Sequence, residues 1–303
     1  MTEALRTPEE RFADLPGFGY APSYADDLAG YEGLRAHYVD AGPADAGDTY
    51  LLLHGEPTWA YLYRKMIPVF LEAGGRVVAP DFYGFGRSDK PVLESDYTFD
   101  FHRDYLLRLV ERLDLSRITL VVQDWGGLLG LTLPVADGFA PRLSRVLLMN
   151  TAIATGASPS PGFDSWRAYV AAHPDLAVGA LLQRSEPRLS RAEAAAYDAP
   201  FPDARYKAGV RAFPELVMTD PAMPGTAVSR AALEFWAGWQ GPVFMAVGTR
   251  DPVLGPPVMN ALRGAFPGCP PPLLLDEAGH FAQEHGDVIA RAALAAFAAW
   301  PAA

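Results

Sequence analysis

The sequence predicts an α/β fold: a mostly parallel central sheet flanked by helices, with a helical cap inserted into it. Three observations carry this. From about residue 37 to 150, short β-branched or Leu-rich runs alternate with helical patterns, as a parallel sheet with crossover helices requires. The rhythm stops at Asn150, and the chain to about Trp239 is rich in Ala, Pro and Ser with no convincing strand. Strand character returns at PVFMAVG. The expected division is therefore a sheet domain of residues 1–150 and 240–303 with a cap of residues 151–239.

The elements follow in order. TYLLLH reads as a strand, WAYLYRKMIPVFLEAG as a helical stretch, and RVVAPD as the next strand. A helix is expected from near Thr98, where Phe99, His102, Leu106, Leu109, Val110 and Leu113 recur at helical spacing and put one apolar face on the sheet. ITLVVQD and VLLMN are strands. Within the insertion, LSRAEAAAY reads as helix; after it, PPLLLDEAG and an amphipathic helix from Asp287 complete the sheet. No repeat of fixed period is present.

Composition narrows the function classes. Half of the 303 residues are apolar, enough for a sizeable core. A formal net charge of -11 argues against a phosphate-backbone or anionic-membrane partner and favours a small, uncharged substrate. Cys269 is the single cysteine, so neither an intrachain disulfide nor a cysteine-based metal site is expected. The amino terminus, MTEALRTPEERFADL, lacks the apolar run of a secretory signal, and the Ala-rich stretch near Ala292 to Ala303 is too short to span a bilayer. A soluble protein in a reducing cytoplasm is the expectation.

The chemistry centres on ITLVVQDWGGLLGLTL, a strand, a tight turn and a helix, with Asp124 at the turn and Gly126 and Gly127 just after it. This is the pattern of a nucleophile elbow in which Asp124 stands where G-x-S-x-G has serine and Val122 replaces the first glycine. Read alone, Asp124 is equally an N-cap for the following helix. Two further segments favour the elbow. LLLHGEPTW ends a strand in a turn whose amide at Glu56, with that of Trp125, matches the two N–H groups of an oxyanion hole. DEAGHFAQEHG places His280 after the last strand, where the chain order nucleophile, acid, histidine requires a base. His285 has no such context and reads as a solvated residue at a helix start.

The acid should stand at the carboxyl end of a strand between nucleophile and histidine, where catalytic groups gather in open α/β sheets. Asn150 follows VLLMN's apolar run and cannot carry the charge that steadies an imidazolium. Asp251, after FMAVG and Thr249-Arg250, can, although an Asp before Pro252 is also an ordinary turn residue.

HGEPTW, PDFYGFGRSDKP, QDWGG, the Asp of VGTRDPVLG and AGHF together resemble the haloalkane dehalogenases, on the branch typified by dichloroethane-degrading enzymes, over nearly the whole chain. The resemblance implies the α/β-hydrolase fold and hydrolysis of small haloalkanes to alcohol and halide. It implies Asp124, Asp251 and His280 as the catalytic set and Trp125 as one indole donor to the leaving halide. Trp166 in GFDSWRAY is similar in position to the second donor, with lid packing as the plain alternative. The implied pocket wall includes Leu128, Phe163, Phe213, Pro214, Val217 and Leu254. No cofactor or metal is implied, and the expected partners are a small haloalkane, water and halide, without nucleic acid or membrane, acting on a monomer.

These residue types suit that reaction. Displacing halide from saturated carbon needs a nucleophile already ionised at neutral pH, which a carboxylate is and a serine is not. The developing halide needs donors in a dry cavity, and indole N–H groups carry no competing acceptor. Hydrolysis of the resulting ester then needs a base, which His280 and Asp251 would supply. An epoxide hydrolase would share the triad but needs acidic donors for the epoxide oxygen, usually lid tyrosines, for which Tyr169, Tyr197 and Tyr206 are the candidates.

Overall fold

The computed structural model describes residues 2–301. Among the described residues ten strands form: β1 (Ala4–Leu5), β2 (Ser23–Ala25), β3 (Ala36–Ala41), β4 (Thr49–Leu53), β5 (Arg76–Pro80), β6 (Lys90–Pro91), β7 (Ile118–Gln123), β8 (Leu143–Met149), β9 (Val243–Gly248) and β10 (Leu273–Leu275). Eight of them make one sheet in the order β10-β9-β8-β7-β4-β5-β3-β2. The pairs from β10 to β5 are parallel, and β3 and β2 add to one edge in antiparallel fashion. β4, β7 and β9 are buried along their whole length, as strands covered on both faces must be, which explains their near-continuous Val, Leu and Ile content.

Among the described residues ten α-helices cover the sheet and its carboxyl ends: α1 (Ile67–Glu72), α2 (Phe99–Arg112), α3 (Trp125–Gly130), α4 (Pro161–Ala172), α5 (Val178–Ser185), α6 (Arg191–Asp198), α7 (Ala208–Leu216), α8 (Thr226–Ala237), α9 (Pro256–Arg263) and α10 (Gly286–Ala298). α2 begins where the spacing places it: Thr98 is its N-cap and accepts from the Phe101 amide, and Phe99, His102, Leu106, Leu109 and Val110 are buried. α10 buries Ile289, Ala290, Ala293 and Phe297 against the sheet.

Among the described residues the 151–239 insertion contains helices and no strand, but it is not one unit. Trp236 of α8 donates its indole N–H to the Leu131 carbonyl at 2.8 Å and packs on Phe266, both in the sheet domain. The last part of the expected cap therefore belongs by packing to the core, because its large aromatic finds an acceptor and an apolar neighbour there. The cover over the strand ends is made by α4 to α7.

One buried cluster ties this cover down. Arg64 makes a bidentate pair with Glu284, both bonds at 2.7 Å, and reaches Glu193 of α6 at 2.9 Å, while the Tyr197 hydroxyl of α6 donates to Glu284 at 2.6 Å. Burial works against a charged Glu284, and the Arg64 guanidinium outweighs it, holding the carboxyl below its ordinary range.

Candidate active site

The turn after β7 is tightly constrained. Asp124 has φ 49° and ψ -124°, a left-handed conformation that L-residues seldom adopt. It sits at the N-terminus of α3, but its side chain makes no capping bond. Instead the Glu56 amide donates to Asp124 Oδ1 at 2.8 Å, so the carboxylate faces away from its own helix and towards the loop after β4. The approach leaves no room for a side chain at Gly55 or Gly126. A Cβ on Gly55 would stand 2.3 Å from Asp124 Oδ1, and one on Gly126 would stand 1.9 Å from the Leu53 carbonyl. The glycines are there so that two strand-end turns can touch.

His54 fixes the first of these turns. Its Nε2 accepts from the Phe82 amide at 3.0 Å, which leaves Nδ1–H to donate to the Gly55 carbonyl at 2.9 Å. Burial keeps this imidazole's pKa below its ordinary value, so it serves as a neutral strut under Glu56.

His280, in the loop after β10, stands beside Asp124 with Nε2 3.5 Å from Oδ2, and its Nδ1 lies 2.8 Å from Asp251 Oδ2. Asp251 is held on every side: Val253 N–H donates to Oδ1 at 2.8 Å, and Asn150 Nδ2 donates to Oδ2 at 2.9 Å. Burial raises the Asp251 pKa, but the His280 charge and hydrogen bond outweigh it and the net shift is downward. For His280, burial disfavours the imidazolium, and the Asp251 and Asp124 carboxylates more than compensate, so its pKa lies well above the ordinary histidine value. The structure thus brings Asp124, His280 and Asp251 into one chain of contacts.

Two neighbours were not singled out for a role in this chain. Gln123 Nε2 lies 2.9 Å from His280 Nε2 and donates to the His280 carbonyl at 3.1 Å. Asn150, considered and set aside as the acid, is fully buried at φ 22°. Its Oδ1 accepts from the Gly248 amide at 2.8 Å, and its Nδ2 donates to Asp251. The signal was present as polar residues ending apolar strands, but a one-dimensional reading gives no partner for them.

These groups open onto a cavity of about 190 Å³. That is below the ~300–1,000 Å³ typical for drug-sized ligands, and it suits a small molecule. Trp125 and Trp166 both line it, with Asp124, Glu56 and His280, and so do Leu128, Phe163, Pro214, Val217 and Leu254. Phe213 does not: it lies fully buried behind Trp125, edge-on at 4.8 Å, because α7 turns Pro214 and not Phe213 to the space. The wall also takes Leu181 and Ser185 from α5, which helical periodicity alone could not orient. None of Tyr169, Tyr197 and Tyr206 lines the cavity. Tyr169 stacks on His173, and Tyr197 is held at Glu284. His285 is not solvated as its sequence context implied; its side chain is 13% exposed, packed against Arg188 and 3.6 Å from Glu186.

Residues 49–287 match the family model of the alpha/beta hydrolase fold. Among curated proteins, the chain is 43% identical to a haloalkane dehalogenase of Mycolicibacterium paratuberculosis, over 92% of this chain and 93% of that one. It is 45% identical to haloalkane dehalogenase 1 of Mycobacterium tuberculosis, over 93% and 94%. The chain belongs to the haloalkane dehalogenase family. Among solved structures, the tetrameric haloalkane dehalogenase DpaA of Paraglaciecola agarilytica NO2 superposes on this family member with a TM-score of 0.95 at 49% identity, covering 98% of this chain and 99% of that one. The haloalkane dehalogenase DbeA of Bradyrhizobium elkani, at 24% identity and TM-score 0.71, shares the fold. No helix among the described residues is long and apolar enough to cross a membrane.

Proposed function

We propose that this chain hydrolyses small haloalkanes to alcohol and halide through an alkyl ester on Asp124. The observation that carries the reading is the placement of the Asp124 carboxylate at a strained elbow facing a small, mostly apolar cavity, with two indoles in its wall and the His280–Asp251 pair behind it.

In the first step an Asp124 oxygen attacks the halogen-bearing carbon; the carbon–oxygen bond forms as the carbon–halogen bond breaks, and the halide leaves towards the N–H groups of Trp125 and Trp166. No base is needed. Esterification removes the Asp124 charge, and His280 loses one of the two carboxylates that raise its pKa. The imidazole can then shed its proton and act as a base. In the second step water attacks the carbonyl carbon of the ester, His280 Nε2 takes the water proton, and the amides of Glu56 and Trp125 receive the oxyanion. Collapse breaks the bond between the carbonyl carbon and the alkyl oxygen, the departing alkoxide takes the proton of the newly added hydroxyl to leave as alcohol, and Asp124 returns as carboxylate; with the proton that His280 shed to solvent, one proton and one halide are produced per turnover. Asp251 holds the imidazole's orientation and stabilises its charged form.

The cap that closes the cavity is the part of 151–239 formed by α4 to α7. Every group named above comes from one chain, so a monomer suffices for turnover, and the single cysteine, Cys269, fits a reducing compartment such as the cytoplasm.

The experiment that tests the reading separates the two steps. His280→Gln should release about one halide per active site and stop as an alkyl adduct visible in the intact mass. Steady turnover by that variant would remove His280 as the base, and a folded variant with neither burst nor adduct would place its action before displacement.

A further inference from the structure

The side chain of Glu56 has no part in the chemistry above, which uses only its amide. Yet it lines the same cavity as Asp124 and the two indoles, the residue is 5% exposed, and its Oε1 is buried without a hydrogen-bond partner. Its own backbone holds Asp124 Oδ1 at 2.8 Å, so two carboxyl groups share one mostly apolar space. The ionisable side chains in the cavity wall are Glu56, Asp124 and His280, with no Lys or Arg. His280 is already engaged by Asp251 and Asp124. Of the elements around this cavity, the cap presents Trp166, Leu181 and Ser185, none of them charged at neutral pH, and His54 on the turn of Glu56 is a neutral strut.

We propose that Glu56 is a third halide-binding residue, a carboxylic acid that keeps its proton and offers the O–H to the halide beside the indole N–H of Trp166. The proposal rests on the dehalogenase reading of the cavity. Its logic is electrostatic. An ionised Glu56 would face Asp124 without a cation of its own, would repel the departing halide, and would take the Trp166 N–H for itself. The neutral acid removes all three conflicts and leaves a hydroxyl donor where an anion must be received. Burial and the Asp124 charge both push the Glu56 pKa well above its ordinary value, and the neighbouring Trp166 indole and His280 charge oppose them only in part.

The test is bromide binding, followed by intrinsic tryptophan fluorescence as a function of pH, without turnover. In the unmodified enzyme the apparent affinity should fall about tenfold per pH unit once Glu56 ionises, because only the protonated form binds. In Glu56→Gln, which keeps an N–H donor and cannot ionise, that alkaline loss should shrink to the part that follows the His280 imidazolium. Infrared difference spectra of the unmodified enzyme supply a second reading that does not depend on the variant folding. Adding bromide at neutral pH should shift a protonated-carboxyl band, and raising the pH should abolish that band. An alkaline loss in Glu56→Gln as steep as in the unmodified enzyme, or bromide binding that moves no protonated-carboxyl band, overturns the proposal. Absence of bromide binding at every pH would overturn the halide site itself, a different failure.

Discussion

Asn150→Ala is the substitution for which the structure makes the sharpest departure from a residue-by-residue reading. As an uncharged residue at the end of β8, Asn150 looks dispensable beside Asp251. In place, its amide donates to Asp251 Oδ2 at 2.9 Å, and its carbonyl oxygen accepts from the Gly248 amide at 2.8 Å. A hydrogen bond to a charged group is worth about 1.5–3 kcal/mol, and a buried N–H left unpaired costs about 1–3 kcal/mol. Asp251 keeps its bonds from Val253 and His280, so the effect on the acid falls at the low end, about tenfold in the hydrolytic step. Most of the remainder appears as lost stability. Ala at φ 22° adds strain of about 1–2 kcal/mol that glycine avoids, so Asn150→Gly should unfold at a higher temperature than Asn150→Ala while showing the same turnover defect. The assay is rapid-mixing halide release followed to steady state: the burst should be unchanged and the steady rate reduced. A parent-like steady rate, or a burst that slows in step with it, would refute the argument that Asn150 acts through Asp251.

Three further outcomes follow from the geometry. Trp166→Phe keeps the apolar volume but removes one N–H, so halide affinity should drop by about ten- to hundredfold in a fluorescence titration, against no change if Trp166 only packs the lid. Asp124→Gly should abolish halide release while the melting temperature holds within a few degrees, since glycine relieves the φ 49° strain as the Glu56 amide loses its acceptor. Asp251 has a lowered pKa, so its contribution to stability is fully present above the unfolded carboxylate's value near ~3.9 and is lost as the pH falls through the lower folded value. The stability gap between the parent and Asp251→Asn should therefore narrow in denaturant melts below about pH 4, and a gap that widens in acid would contradict the sign.

The parts of this site that could be read from the sequence are those whose chemistry is local. An Asp followed by Trp-Gly-Gly at a strand-to-helix turn carries its own geometry, and His280 and Asp251 lie at strand ends, where the sheet gathers functional groups. Trp125 follows because it is the neighbour of Asp124. What the sequence concealed depends on which side of a helix meets which partner. Phe213 and Pro214 are adjacent, and only packing decides that the first backs Trp125 while the second faces the cavity. Gln123 and Asn150 end strands as polar residues, but their partners lie more than ninety positions away. The indole of Trp236 ties α8 to the sheet domain through an acceptor that no pattern in the insertion announces.

The buried Arg64 cluster has a mechanical corollary. Glu284, which receives both Arg64 and the Tyr197 hydroxyl of α6, belongs to the short turn Ala282–His285 that begins two residues after His280. The cap is thus moored to the same few residues that carry the base. Were α6 to lift so that a molecule could enter or leave, it would either surrender the Tyr197 and Glu193 bonds or pull on the turn behind the imidazole. The far edge of the cap, where α4 begins, is held through the Ser160 hydroxyl on the Val253 carbonyl, two residues after Asp251. Admission to the cavity and alignment of the proton-handling pair therefore share their anchors, and loosening the door at either jamb disturbs the frame in which His280 hangs.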